Sequence, residues 1–238
     1  MNLETLKNKT VLITGVTGSI GYDLAARLLK YDIMVIGICS GLRNKDKIKL
    51  LSKYKNFRVF YINQNQIKTI EKKCKNIKKI IGCPDIIVNS AGIFKFKKLT
   101  SYSIDDIIAS FNINILSPIL ITKYFIHLMS KKKSGIIINI CSSSSYSGGG
   151  TYGHTIYTST KHALLGFSRA LDEEFKNKNI RIGTVSPAGV KSKMTKNRKD
   201  IKKTSLISLK QVTDSIIYLM TDKGNGIIYE IRLWRKNR

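Results

Sequence analysis

The pair best suited to moving a proton is Tyr157 and Lys161, four residues apart in YTSTK. Residues at that spacing share a helix face. A phenol titrates near pH 10 in water, and a fixed ammonium one turn away favours the phenolate, bringing the tyrosine toward acid-base work near neutrality. Such a hydroxyl can exchange a proton with a substrate oxygen while hydride moves at a nicotinamide. Of the eleven tyrosines only Tyr157 has a lysine four residues on. A second constellation is TGVTGSIG, where Gly15, Gly18 and Gly21 follow an apolar run and lead into a helical pattern beginning near Ile20. Strand, tight glycine turn and helix start offer backbone N–H groups and a helix dipole to a pyrophosphate. The second apolar run ends at Ile38 and is followed by Cys39, Ser40, Gly41, Leu42 and Arg43, then Lys45, with no acid before Asp46. An acid there would hold a ribose hydroxyl and repel a 2′-phosphate, so the pattern favours NADP over NAD. The competing reading is that Arg43 and Lys45 are solvated surface charge.

Short apolar runs must place these groups. They lie at Val11 to Thr14, Ile33 to Ile38, Arg58 to Ile62, Ile86 to Asn89, Ile136 to Cys141, Ile180 to Val185 and Ile227 to Ile231. Between them fall helical stretches near Ile20 to Lys30, Asp46 to Tyr54, Ile67 to Ile81, Ile104 to Met129, Tyr157 to Lys178 and Leu209 to Thr221. The alternation predicts an α/β fold, a single doubly wound parallel sheet of about seven strands, with residues 1–238 as one unit. Apolar residues, 42% of the chain, exclude global disorder. Cys39, Cys74, Cys83 and Cys141 show no C-x-x-C spacing and only three histidines accompany them, so neither a disulfide framework nor a metal site is expected. No leader is visible, no apolar run approaches the span of a bilayer, and a reducing cytoplasm fits best. With 42 Lys+Arg against 15 Asp+Glu, the net charge of +27 raises nucleic acid or an anionic membrane as partner, but the lysines are scattered, as solvated surface charge would be.

TGVTGSIG, NSAG at Asn89 to Gly92, Ser142, YTSTK and SPAGVKSKM occur in an order that resembles the short-chain dehydrogenase/reductases, over nearly the whole chain. The resemblance implies a cofactor loop of Thr14, Gly15, Gly18, Ser19, Ile20 and Gly21, with Ser19 where the family usually has glycine. It places Ser40 and Arg43 at the adenosine ribose, Asn63 at the adenine, and Asn89, Ala91 and Gly92 beneath the cofactor, Ser90 replacing the usual Asn. Pro187, Val190 and Ser192 match the segment that holds the nicotinamide carboxamide, with Ala188 for the typical Gly. Tyr157 then looks like the general acid/base, Lys161 its activator and ribose ligand, and Asn114 the support of a proton relay through water. The serine partner is Ser142 by strand register, which is more constrained than the loop length that, counted back from Tyr157, would choose Ser144. His154 is either a substrate contact or a plain loop histidine.

The family also implies a homodimer or homotetramer built on the two long helices. A basic stretch, Lys191, Lys193, Lys196, Arg198, Lys199, Lys202 and Lys203, suggests an anionic substrate such as a phosphorylated sugar. Short stretches are similar to reductases of surface-polysaccharide pathways that act on ribulose 5-phosphate. A 3-oxoacyl-acyl-carrier-protein reductase is the alternative enzyme. A non-catalytic NADP-sensing module and a nucleic-acid binder are alternatives of other classes.

Overall fold

A computed structural model describes residues 2–41, 44–146, 152–196, 206–222 and 228–236. Seven strands, β1 (Thr10–Thr14), β2 (Met34–Cys39), β3 (Phe57–Tyr61), β4 (Ile86–Asn89), β5 (Gly135–Ile140), β6 (Ile180–Pro187) and β7 (Glu230–Leu233), form one sheet in the order β3-β2-β1-β4-β5-β6-β7. Every pairing is parallel. The strand order reverses between β1 and β4, and open sheets of this kind bind ligands beyond the carboxyl ends of the strands at such a switch.

The helices are α1 (Ser19–Leu28), α2 (Lys45–Leu51), α3 (Ile67–Ile81), α4 (Ile104–Phe111), α5 (Ser117–Lys132), α6 (Thr155–Phe175) and α7 (Leu209–Thr221). Successive strand residues point to opposite faces. Val11 and Ile13 of β1 therefore pack with Leu24 and Leu28 of α1 and Ile216 and Met220 of α7. Leu12 of the same strand packs on the other face with Ile70 and Ile77 of α3 and Ile121, Phe125 and Met129 of α5. With both faces covered, the strands read as continuous apolar runs and not as alternating ones.

Two segments differ from the sequence reading. The stretch expected as one helix from Ile104 to Met129 is α4 and α5 joined by a π-helical turn, Asn112–Leu116, whose extra residue leaves Asn112, Asn114 and Ile115 all facing inward. The combined run Ile104–Lys132 is long and apolar enough to cross a membrane by length and composition, which the sequence reading did not see. The expected start of the last strand, Ile227, lies outside the described residues; the described strand runs from Glu230 to Leu233, its register set by β6, with Thr184 paired to Glu230 and the Thr184 N–H donating to Tyr229 O at 2.7 Å.

Candidate active site

The glycine turn joins β1 to α1 at the switch point. Gly15 has φ +67, and a Cβ there would lie 2.8 Å from Ala91 Cα, so only glycine lets the turn pass this close to the end of β4. A Cβ on Gly21 would lie 2.5 Å from Gly15 O, which fixes α1 against the turn. Gly18 is the N-cap of α1 and supplies no capping side chain. The helix thus opens with its first amides toward a cavity of about 610 Å³ that Thr17, Gly18, Ser19 and Ile20 line. Thr14 is buried behind it, its Oγ1 accepting from Ser90 N at 3.1 Å and Ala91 N at 3.0 Å.

The cavity continues to Ser90, Gly92, Ser142, Ser143, Ser144, Tyr157 and Lys161. Tyr157 and Lys161 stand in the first two turns of α6, with the Lys161 ammonium 5.8 Å from the centre of the Tyr157 ring. Lys161 is 4% exposed and donates to Ile140 O at 2.7 Å, and burial pushes its pKa down. A Cβ on Gly92 would lie 3.4 Å from Asn114 Oδ1 and 3.7 Å from Lys161 Nζ, so the absent side chain leaves these two polar atoms a common space. Asn114 itself accepts from Ile93 N at 2.8 Å through Oδ1, and its Nδ2 donates to Ile93 O and to Thr160 Oγ1. The π-helical turn thereby ties the strand that leaves β4 to the helix carrying Tyr157.

Ser142 lies two residues past the end of β5, and its hydroxyl oxygen accepts from Ser144 N at 3.1 Å. Ser145 closes the small turn by donating through its hydroxyl to Lys161 O at 2.9 Å. Ser142 and Ser144 both reach the cavity, so both of the counted alternatives are present in it. Neighbouring Cys141 is buried, and burial pushes its thiol up to about 12.

Pro187, Val190 and Ser192 also line the cavity, after β6. Its remaining wall includes Phe94, His154, Met194 and Trp234. Phe94 meets His154 and Tyr157 edge-on, at ring distances of 4.8 and 4.9 Å. Of the basic stretch, Lys193 lines the cavity, Lys191 and Lys196 are exposed, and Arg198, Lys199, Lys202 and Lys203 fall outside the described residues. Arg43 is outside them too. Ser40 and Asn63 are exposed just past β2 and β3, away from the cavity lining.

Three features escaped the sequence reading. Asn89 is the centre of a buried chain, its Nδ2 donating to Asn139 Oδ1 and Thr122 Oγ1, while Asn139 Nδ2 donates to Ser168 Oγ. Glu230 takes up Arg169, Arg232 and the Tyr146 hydroxyl, tying β7 to the loop after β5. Lys47 and Lys193 converge on the glycine turn from two other segments. Apart from Glu230 with Arg232, these pairings have no local signature, because they join residues far apart in the chain.

The family model described as short chain dehydrogenase matches residues 9–203. A 3-oxoacyl-[acyl-carrier-protein] reductase of Buchnera aphidicola from Acyrthosiphon pisum is 32% identical over 236 residues, covering 93% of each chain. The enzyme of that name from Vibrio harveyi is 29% identical over 210 residues, covering 87% of this chain and 83% of its own. Among solved structures, ElxO with NADP bound superposes with a TM-score of 0.83 at 29% identity, covering 94% of this chain and 96% of that one. A short-chain dehydrogenase from Streptomyces avermitilis, 17% identical with a TM-score of 0.82 over 95% of this chain and 88% of its own, shares the fold.

Proposed function

The chain belongs to the short-chain dehydrogenase family, and as an oxidoreductase of that type we propose that it transfers hydride between NADP(H) and a carbonyl or alcohol substrate. The observation that carries this reading is the convergence of Tyr157, Lys161 and Ser142 on the cavity that also holds the open end of α1. The residues suit a dinucleotide: glycines at 15 and 21 that a Cβ would jam, an uncapped helix start, and Pro187, Val190 and Ser192 along the opposite wall. Ser40 in place of an acid at the end of β2 supports NADP, as does the likeness to ElxO, a structure with NADP bound.

The nicotinamide, when bound, supplies or accepts the hydride. During reduction the Tyr157 hydroxyl gives its proton to the carbonyl oxygen as charge develops there, and Ser142 donates a hydrogen bond to the same oxygen. Ser142 is oriented for this by the bond its oxygen accepts from Ser144 N, which leaves the hydroxyl proton to turn toward the substrate. Lys161, held by Ile140 O and made a stronger acid by burial, favours the phenolate and passes a proton toward it. Asn114 is a positioning residue that holds Ile93 and Thr160 beside them, and the space above Gly92 admits the water of a relay.

The substrate is a small anionic carbonyl compound, a phosphorylated sugar being one candidate. A second reading, reduction of a 3-oxoacyl group on an acyl carrier, is favoured by the wall of Phe94, Met194 and Trp234 and by the likeness to two reductases of that name. The unit is residues 1–238, working in the cytoplasm as a homodimer or homotetramer through the run of α4 and α5 and through α6, a reading supported by free cysteines and by exposed Ile104, Ile108 and Leu116. A screen of ketose phosphates and acetoacetyl thioesters with NADPH and NADH, with Tyr157→Phe as blank, tests the proposal. Oxidation of NADPH by one class above the blank supports it, and no turnover with either class contradicts the substrate reading.

A further inference from the structure

Two ammonium groups meet where the glycine turn approaches the end of β2. Val16 N donates to Ile38 O at 3.1 Å, which lays the turn against that strand. From the first turn of α2, Lys47 Nζ reaches back to Thr17 O at 3.0 Å and Gly18 O at 3.5 Å, and sits 4.5 Å from the centre of the Tyr22 ring. From the segment after β6, Lys193 crosses the cavity: its backbone N–H donates to Ser19 Oγ at 3.2 Å and its Nζ to Asn44 Oδ1 at 2.7 Å. Asn44, with φ 65, is the left-handed residue that turns the chain into α2. Burial and then the charge of Lys193 both push the Lys47 pKa down, as expected for cations brought together without an anion. Neither lysine has a carboxylate partner among the described residues, while Asp85, Asp106, Asp214 and Glu230 are taken up by other cations.

We propose that Lys47 and Lys193 form a two-ammonium clamp that takes the 2′-phosphate of the adenosine ribose, making them specificity residues for the phosphorylated dinucleotide. The inference rests on the dinucleotide reading above. In such folds the ribose lies between the glycine turn and the end of the second strand, where these two ammoniums stand. A phosphate dianion there neutralises both charges and replaces a repulsion by two charge-assisted hydrogen bonds. Lys193 joins the adenosine end to the segment that carries Val190 and Ser192, so the clamp also draws the wall at the nicotinamide end toward the bound phosphate. Without the phosphate, among the described residues the Lys193 ammonium is held by the neutral Asn44 amide oxygen and its backbone N–H by Ser19 Oγ.

Calorimetric titration of the full chain with adenosine 2′,5′-bisphosphate and with AMP tests the clamp without turnover. The wild type binds the bisphosphate more tightly than AMP. Lys47→Gln and Lys193→Gln each weaken the bisphosphate about ten- to a hundredfold, the span of a lost charged hydrogen bond, while AMP changes by less than about twofold. Lys47→Arg restores the preference. Because Lys193 is exposed, its variant keeps the test valid if Lys47→Gln unfolds, which thermal melting reports. Equal weakening of both ligands, or an unchanged preference in both variants, overturns the clamp while leaving dinucleotide binding intact. A wild type that binds neither compound retires the dinucleotide reading, and the clamp with it.

Discussion

Ser142 and Ser144 share one small turn, and their surroundings separate their roles. The Ser142 oxygen accepts from Ser144 N, so its hydroxyl is oriented, whereas Ser144 enters that bond through its backbone. Loss of an oriented donor to a developing oxyanion costs about a hundred- to a thousandfold in kcat. Ser142→Ala is expected to show that loss, and Ser144→Ala to stay within about tenfold of wild type; steady-state kinetics on both variants decide, and the reverse order would move the role to Ser144. The sequence pointed to Ser142 by strand register, while loop length counted to Ser144, so the two signals disagreed. Tyr157 and Lys161 were legible since their relation is local, four residues on one helix. Lys47 was not: in a chain with 42 Lys+Arg, nothing marks one lysine of a short helix as the one that folds back on the glycine turn.

At the scale of elements, the segment between β4 and α4 carries Phe94 to the wall of the site and is pinned by one carboxylate. Asp106 receives Lys95 and Lys97, and the Tyr102 hydroxyl donates to Lys95 O. The two lysines hold the Asp106 carboxyl down to about 2 from an ordinary 3.8. A depressed carboxylate pKa stabilises the folded chain fully above the unfolded value, and the contribution is lost as pH falls through the folded one. Asp106→Asn is therefore expected to lower the urea midpoint at pH 6, and the gap from wild type to close progressively below about pH 4. A gap constant between pH 6 and pH 3 would assign the loss to packing instead. The helices and strands that face the core were legible from their apolar spacing, and α3, β4 and α7 begin and end where that spacing does. The π-helical turn at Asn112–Leu116 was not, because Ile108, Phe111, Ile115 and Ile119 keep a stripe compatible with an unbroken helix, and the added residue shows only in how Asn114 is turned inward.

For the whole molecule, the excess of cations shapes how charge is paired. Asp85 is shared by Lys9 and Lys132, Asp106 by Lys95 and Lys97, Asp214 by Arg27 and Lys210, and Glu230 by Arg169 and Arg232. Surface pairs contribute little each, whereas a net charge of +27 repels itself over the whole chain. Added salt screens both. Repulsion outweighs the pairs, so the melting temperature is expected to rise between about 20 and 300 mM NaCl, a range over which the Debye length falls severalfold; a fall would put the shared pairs first. Under the proposed reading the same excess bears on function where the fold gathers it, at Lys47 and Lys193 beside the turn and at Lys161 beside Tyr157. In the proposed reaction Tyr157 moves the proton while the rest of the cavity holds cofactor and substrate. The most direct test of this role is Tyr157→Phe, assayed for NADPH oxidation with the best carbonyl substrate and for NADPH binding by fluorescence titration. The expected result is a loss of turnover of about a hundredfold or more with the NADPH Kd within about twofold of wild type; full turnover in that variant would contradict it.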